Sequence, residues 1–231
     1  MTAISNYLKK RTLQEFDIRN PIEVIYNFVN CDTYKRGSDS GSRRAEFADA
    51  NERILVHVSN FRPVKRICDV VEIFDRVQKQ LPSRLLLMGD GPDRSRAEWL
   101  VNKKGLRQKV EFLGKVDRVS EKLSIADLML VPSELESFGL AALEGMACEV
   151  PAVATAVGGV PEVIEHGRTG FLAEVGDVAT MANDAISILS DEKRLRAMGQ
   201  AARWEAQSRF CSSKIIPEYE KFYERVLERA G

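Results

Sequence analysis

Glu136 and Glu144 enclose the run Ser137-Phe138-Gly139-Leu140-Ala141-Ala142-Leu143. Ser137 reads as a helix N-cap, which leaves the N–H groups of Phe138, Gly139 and Leu140 free at a helix N-terminus, a ready anion site. At 1.5 Å per residue the two carboxylates stand roughly 12 Å apart. That spacing suits holding hydroxyl groups at both ends of a long ligand. It is too wide for the nucleophile-and-acid pair of a retaining glycosidase, which needs about 5 Å. The plainer reading of Glu144 is a surface glutamate. Its neighbours Leu143, Met146 and Ala147 argue for a largely buried helix instead, where an unpaired carboxylate is expensive.

A second group is cationic. Ser59-Asn60-Phe61-Arg62-Pro63-Val64-Lys65-Arg66 brings three positive side chains into one short loop. An arginine grips phosphate oxygens bidentately and a lysine acts as a point charge, so Arg62 and Lys65, with Asn60 beside them, suit a diphosphate. The alternative is a solvated basic loop. Gly89-Asp90-Gly91-Pro92 lets backbone pass close to a ligand, although many turns need glycine for their own geometry. Gly158-Gly159-Val160-Pro161-Glu162 reads as a turn opening a helix, with Pro161 at its first position. His57 lies inside a strand and reads as a satisfied core histidine rather than a base; His166 belongs to a turn. Asp90 and Asp93 flank Gly91-Pro92, so a turn is a simpler reading than a metal pair. No metal and no cofactor are expected.

Those loops need a scaffold. From Arg53 onward, short Val- and Leu-rich runs alternate with helical patterns: strands at Arg53–Ser59, Arg84–Met88, Val110–Leu113, Leu128–Val131, Ala152–Ala154 and Gly170–Ala173, helices at Cys68–Gln80, Arg94–Lys104, Val119–Ala126 and Phe138–Cys148. Val71, Phe74 and Val77 share one face of the first of these helices. Such alternation predicts an α/β fold, a Rossmann-like parallel sheet with helices on both faces and right-handed crossovers. Ligands in such sheets sit beyond the C-terminal strand ends, where every loop above lies. From Val178 the pattern is helical almost throughout. Before Arg53, Ile4–Phe16 reads as helical, Glu23–Asn27 as extended, and residues 37–52 as a polar linker or mobile loop.

Composition narrows the class. The chain has 231 residues, and Lys+Arg balance Asp+Glu at 34 each, for a formal net charge of +0. No electrostatic case exists for a nucleic-acid or membrane-surface partner. Cys31, Cys68, Cys148 and Cys211 are far apart in sequence, which argues against a disulfide framework or zinc site and for a reducing cytoplasm. No apolar run approaches about 18 residues, so no spanning helix is expected.

Taken in order, Arg62/Lys65, Gly89-x-Gly91-Pro92, Glu136-(seven residues)-Glu144 and Gly158-Gly159-x-Pro161-Glu162 resemble the large family of retaining glycosyltransferases built from two facing Rossmann-like domains. The resemblance runs from about Ile54 to the C-terminus. It implies that residues 53–231 are the nucleotide-sugar-binding domain. Glu144 would then bind ribose hydroxyls, Glu136 would contact the donor sugar, and Ser137 to Leu140 would offer N–H groups to the diphosphate. Arg62 and Lys65 would neutralise it. Ser59-Asn60-Phe61-Arg62, Asp127-Leu128-Met129-Leu130 and Ile25-Tyr26-Asn27-Phe28 further resemble the branch serving bacillithiol biosynthesis, which implies UDP-N-acetylglucosamine as donor and L-malate as acceptor.

The chain departs from the family in places. Ser59-Asn60 stands where many members have Gly-Arg, Arg66 where glycine is usual after the lysine, and Glu149 where glycine commonly precedes Val150-Pro151. Residues 1–36 resemble only the last strand and helix of the acceptor domain, followed by the interdomain linker. The isolated chain is therefore expected to bind donor with little or no transfer. A nucleotide-sugar 2-epimerase and a non-catalytic binding fragment remain as alternatives. Apolar faces on the first and last helices suggest self-association into a homo-oligomer.

Overall fold

Runs of Val, Leu and Ala long enough for one strand, and apolar on both sides of the pleat, must be covered on both faces; here they pair into one parallel sheet. The computed structural model describes residues 1–37 and 40–230. In chain order, β1 (Thr2–Ala3), α1 (Asn6–Glu15), β2 (Glu23–Val24) and α2 (Ser40–Arg44) come first. β3 (Arg53–Val58) then runs through a 3-10 turn at Pro63–Lys65 into α3 (Ile67–Gln78). β4 (Ser83–Met88), α4 (Arg94–Lys103), β5 (Val110–Gly114), α5 (Val119–Leu123), β6 (Leu128–Val131) and α6 (Leu140–Ala147) follow. β7 (Ala152–Thr155), α7 (Val160–Val163) and β8 (Gly170–Ala173) complete the sheet, and α8 (Val178–Leu189), α9 (Glu192–Arg209) and α10 (Ser212–Ala230) end the chain.

The six-stranded sheet has the order β5-β4-β3-β6-β7-β8, and its pairings are parallel. Pleating divides the strands cleanly. Ile54, Val56, Met129 and Val131 face one core with α6 and α9. Leu55, Leu85, Leu128 and Leu130 face the other with α3, α4 and α8. On α3 the buried side includes Val71, Phe74 and Val77, as its periodicity predicts, together with Ile67, Val70 and Ile73. Asp177 caps α8 by accepting from Thr180 N at 3.0 Å, and Asp191 caps α9 by accepting from Lys193 N at 2.9 Å. Among the described residues no helix is long and apolar enough to cross a membrane.

Outside the sheet, β1 and β2 form a two-stranded parallel pair. α10 runs back to it: Tyr219 OH donates to the Ile25 carbonyl at 3.3 Å and Arg225 reaches Glu23 Oε2 at 2.6 Å. Leu13 and Phe16 on or beside α1, and Tyr223 and Leu227 on α10, are exposed. The segment 37–52, expected to be a polar linker or loop, carries α2, while Ser38 and Asp39 lie outside the described residues. Arg44 fastens it under the N-terminal edge of β6, donating to Asp127 Oδ2 at 2.7 Å and to the Ile125 carbonyl at 2.8 Å.

Candidate functional site

Strand order fixes where a ligand fits. β3 and β6 are neighbours, yet the connection after β3 leads to α3 on one face and that after β6 to α6 on the other. Loops that diverge in this way leave a crevice beyond the carboxyl ends of the two strands. The Arg62–Arg66 loop follows β3 and the Glu134–Gly139 loop follows β6, so the two groups read from the sequence flank that crevice.

Two contacts join the loops. Glu134 N donates to the Val64 carbonyl at 2.7 Å, and Lys65 Nζ donates to Glu136 Oε1 at 2.6 Å. Ser133 Oγ donates to the same oxygen at 2.9 Å. Arg62 is exposed and its side chain has no hydrogen bond or ion pair among the described residues, so its guanidinium is available to an anion. Arg66, the third cation of the loop, adopts a left-handed φ of 50° and pairs with Asp69 at 2.7 Å. Asn60 is exposed beside them.

Beneath the loops lies His57, which the sequence marks as a core residue. A carbonyl can only accept, so Nδ1–H donates to the Leu130 oxygen at 2.8 Å, and Nε2 accepts from the Ser59 hydroxyl at 2.8 Å. Burial pushes its pKa down to about 4 against that hydrogen bond, which leaves the ring neutral at pH 7. His57 is a floor that ties β3 to β6.

The reading of Ser137 as N-cap does not hold. Gly139, at φ 93°, takes that place and α6 begins at Leu140. Ser137 instead uses its carbonyl to accept from Ser5 Oγ at 2.8 Å. The free N–H groups expected there move with the helix start. Among the described residues the N–H groups of Phe138 through Ala142 have no acceptor, which leaves them unsatisfied at the helix start. The continuous helix behind the 12 Å spacing is also absent, because only the steps from Leu140 to Glu144 are helical. Glu144 is partly buried on α6. Burial raises its carboxyl above the ordinary range, while a hydrogen bond with the Tyr34 hydroxyl pulls it back.

The glycines have a structural reason first. A Cβ on Gly89 would lie 1.7 Å from the Ser59 oxygen, and one on Gly91 2.0 Å from the Asn60 oxygen. These positions admit the cationic loop against β4, which accounts for glycine there without a ligand. Gly158 and Gly159 play the same part for the other loop, with Cβ positions 1.6 Å from the Glu136 oxygen and 2.5 Å from the Ser137 oxygen. The helix opening beyond them begins at Val160, one position ahead of Pro161.

Glu162 is the residue whose role the sequence does not reveal. Its carboxylate accepts from Tyr7 N at 2.8 Å, from Asn6 N at 2.9 Å and from Tyr26 OH at 3.2 Å, capturing the N-terminus of α1. With the Ser5–Ser137 bond, this clasps α1 to α7 and to the loop that follows β6. Ser5 as an N-cap ahead of α1 is a legible signal; its distant partners are not.

The architecture and the two flanking loops match a known family. Residues 40–204 fit the family described as glycosyl transferases group 1. The chain belongs to the group 1 glycosyl transferases. N-acetyl-alpha-D-glucosaminyl L-malate synthase of Bacillus anthracis is 43% identical over 98% of this chain, and the match covers 60% of that protein's length. Sucrose-phosphate synthase from Thermosynechococcus elongatus has the same fold, with a TM-score of 0.89 at 26% identity over 99% of this chain and 58% of its own. HepE of Anabaena, solved in complex with UDP-glucose, superposes with a TM-score of 0.90 at 25% identity, covering 97% of this chain and 63% of HepE. The chain thus spans about three fifths of the length of these three relatives.

Proposed function

We propose that this chain is the donor-binding half of a retaining glycosyltransferase that takes N-acetylglucosamine from UDP-N-acetylglucosamine and, in the whole protein, passes it to L-malate. The observation that carries the reading is the crevice between β3 and β6, where the Lys65–Glu136 pair meets the unsatisfied N–H groups of the α6 start. The name of the Bacillus anthracis relative supports the donor sugar and acceptor, and the HepE complex supports a UDP-sugar in a site of this fold.

In this reading Arg62 and Lys65 grip the diphosphate, with the N–H groups from Phe138 to Ala142 completing the cradle. Ser137 adds backbone contact, and Asn60, Gly89 and Gly91 shape the loop walls. Glu136, displaced from Lys65 by the phosphates, holds the sugar, and Glu144 holds the ribose hydroxyls. The acceptor hydroxyl attacks on the face from which UDP departs, through an oxocarbenium-like state, and the sugar keeps its configuration. Charge builds on the leaving β-phosphate, so donors fixed around it lower the barrier more than the ground state. Cations and amides supply that charge, and the proposal needs no metal.

Titration of the chain with UDP, UDP-N-acetylglucosamine, UDP-glucose and a guanosine-diphosphate sugar tests this. The expected order places UDP-N-acetylglucosamine first and the guanosine sugar last. Equal affinity for all four, or none for any, overturns it. With malate added, the chain alone is expected to release little or no UDP; turnover matching a full-length relative would contradict the division of labour.

A further inference from the structure

Cys31 and Cys211 stand at opposite ends of the sequence, and the fold brings them together through the pairing of Val29 with Cys211. The chain passes between the α1–β2 unit and the sheet domain twice, once after β2 and once where α9 gives way to α10. The two passages pair with each other: Val29 N donates to the Phe210 carbonyl at 3.0 Å, Ser212 N donates to the Val29 carbonyl at 2.9 Å, and Val29 bridges Cys211 in parallel. Cys31 lies two residues beyond Val29 and is 4% exposed.

Cys211 sits at the cap of α10, its carbonyl accepting from Lys214 N at 2.9 Å and Ile215 N at 3.1 Å. Donors converge on its sulfur. Ser213 Oγ donates to it at 3.4 Å, and the backbone N–H groups of Ser213 and Cys31 favour its thiolate. Burial alone would push this thiol up, but those hydrogen bonds outweigh it and bring it down to about 7. Cys31 moves the other way, up to about 12, through burial first and Cys211 second. A half-exposed sulfur with thiolate character beside a buried thiol is the arrangement of an attacking and a resolving cysteine. Burial raises Cys68, and Cys148 is buried and raised to about 12.

We propose that Cys31 and Cys211 are a redox-active pair that hydroperoxides convert to a reversible disulfide joining the two passages. The Cys211 thiolate attacks the outer peroxide oxygen, an S–O bond forms as the O–O bond breaks, and the alkoxide or hydroxide leaves and is protonated. Cys31 then gives up its proton and attacks the sulfenic sulfur, an S–S bond forms, the S–O bond breaks, and water departs. Two thiols lose two electrons and one hydroperoxide gains them. A dithiol reverses the reaction by exchange. The site lies outside the donor crevice, so this inference stands whether or not the sugar assignment does.

The test treats the purified chain with hydrogen peroxide at pH 7, blocks free thiols and maps the peptides. A Cys31–Cys211 cross-link reversed by dithiothreitol is expected. Cys31→Ser should leave a sulfenic acid on Cys211 that dimedone traps, and Cys211→Ser should leave Cys31 a thiol. Before oxidation, Cys211 should alkylate at least about tenfold faster than Cys68. Unmodified Cys31 and Cys211, or oxidation of Cys68 ahead of Cys211, would overturn the proposal, and the wild-type map decides it even if a variant fails to fold.

Discussion

Lys65 Nζ stands 2.6 Å from Glu136 Oε1, closing a bond between the loops that follow β3 and β6. Both side chains are mostly shielded, at 22% and 15% exposure, so the pair holds the crevice together while no anion is present. In the proposed function a diphosphate competes for the lysine and releases the glutamate. Lys65→Ala should weaken UDP-sugar binding about 10- to 100-fold, the scale of a charge-assisted hydrogen bond. Glu136→Gln should reduce the affinity difference between UDP-N-acetylglucosamine and UDP while leaving UDP itself nearly unchanged. Calorimetry with the two ligands separates these outcomes.

Gly158 predicts a different failure. Its φ is +58°, and an added Cβ would sit 1.6 Å from the Glu136 oxygen. Gly158→Ala should destabilise the protein by about 1–3 kcal/mol or more, since backbone must move and the residue is strained. Urea unfolding measures the loss, and donor affinity should fall with it because the Glu136 loop shifts. A variant as stable as wild type would mean that the loop relaxes freely.

Glu162 links α1 to the site. Burial alone would raise its carboxyl, but the N–H groups of Tyr7 and Asn6 outweigh burial and hold it below the ordinary value. A carboxylate depressed in the folded state contributes stability above its unfolded pKa and loses it as pH falls through the folded one. Glu162→Ala should cost about 1–2 kcal/mol. Hydrogen exchange should quicken in α1 and hardly change in the sheet. Uniform acceleration would show a global effect instead of a broken clasp.

His57 gives a pH signature of the same sign in a higher window. Its pKa is about 4 in the fold against 6.5 in the unfolded chain, so the unfolded state takes up the proton first. The stability from keeping the ring neutral is complete above pH 6.5 and drains away as pH falls from 6.5 to about 4, on the order of 3 kcal/mol in all. His57→Gln should flatten urea midpoints across that window relative to wild type. Parallel curves for the two proteins would remove His57 as the cause.

Much of this was legible in the residues. Strands such as Leu128–Val131 announce themselves because an apolar run of that length, bounded by turns, has to be covered on both faces. The order of loops around the sheet then puts Arg62, Lys65 and Glu136 at one crevice. Capping was harder: Ser137 is a good N-cap by type, but Gly139 alone takes the left-handed turn that starts α6. The partners of Glu162, Ser5 and Cys211 were illegible because each is fixed by packing across more than a hundred residues of chain, which no local pattern encodes.

The central claim concerns one crevice that grips a nucleotide diphosphate and, farther along α6, a ribose. Calorimetric titration of UDP-N-acetylglucosamine into wild type, Arg62→Ala and Glu144→Ala tests it most directly. Saturable binding to wild type, weakened at least about tenfold in each variant, is the predicted result. Tight binding unaltered by both substitutions, or no binding to wild type, would contradict it.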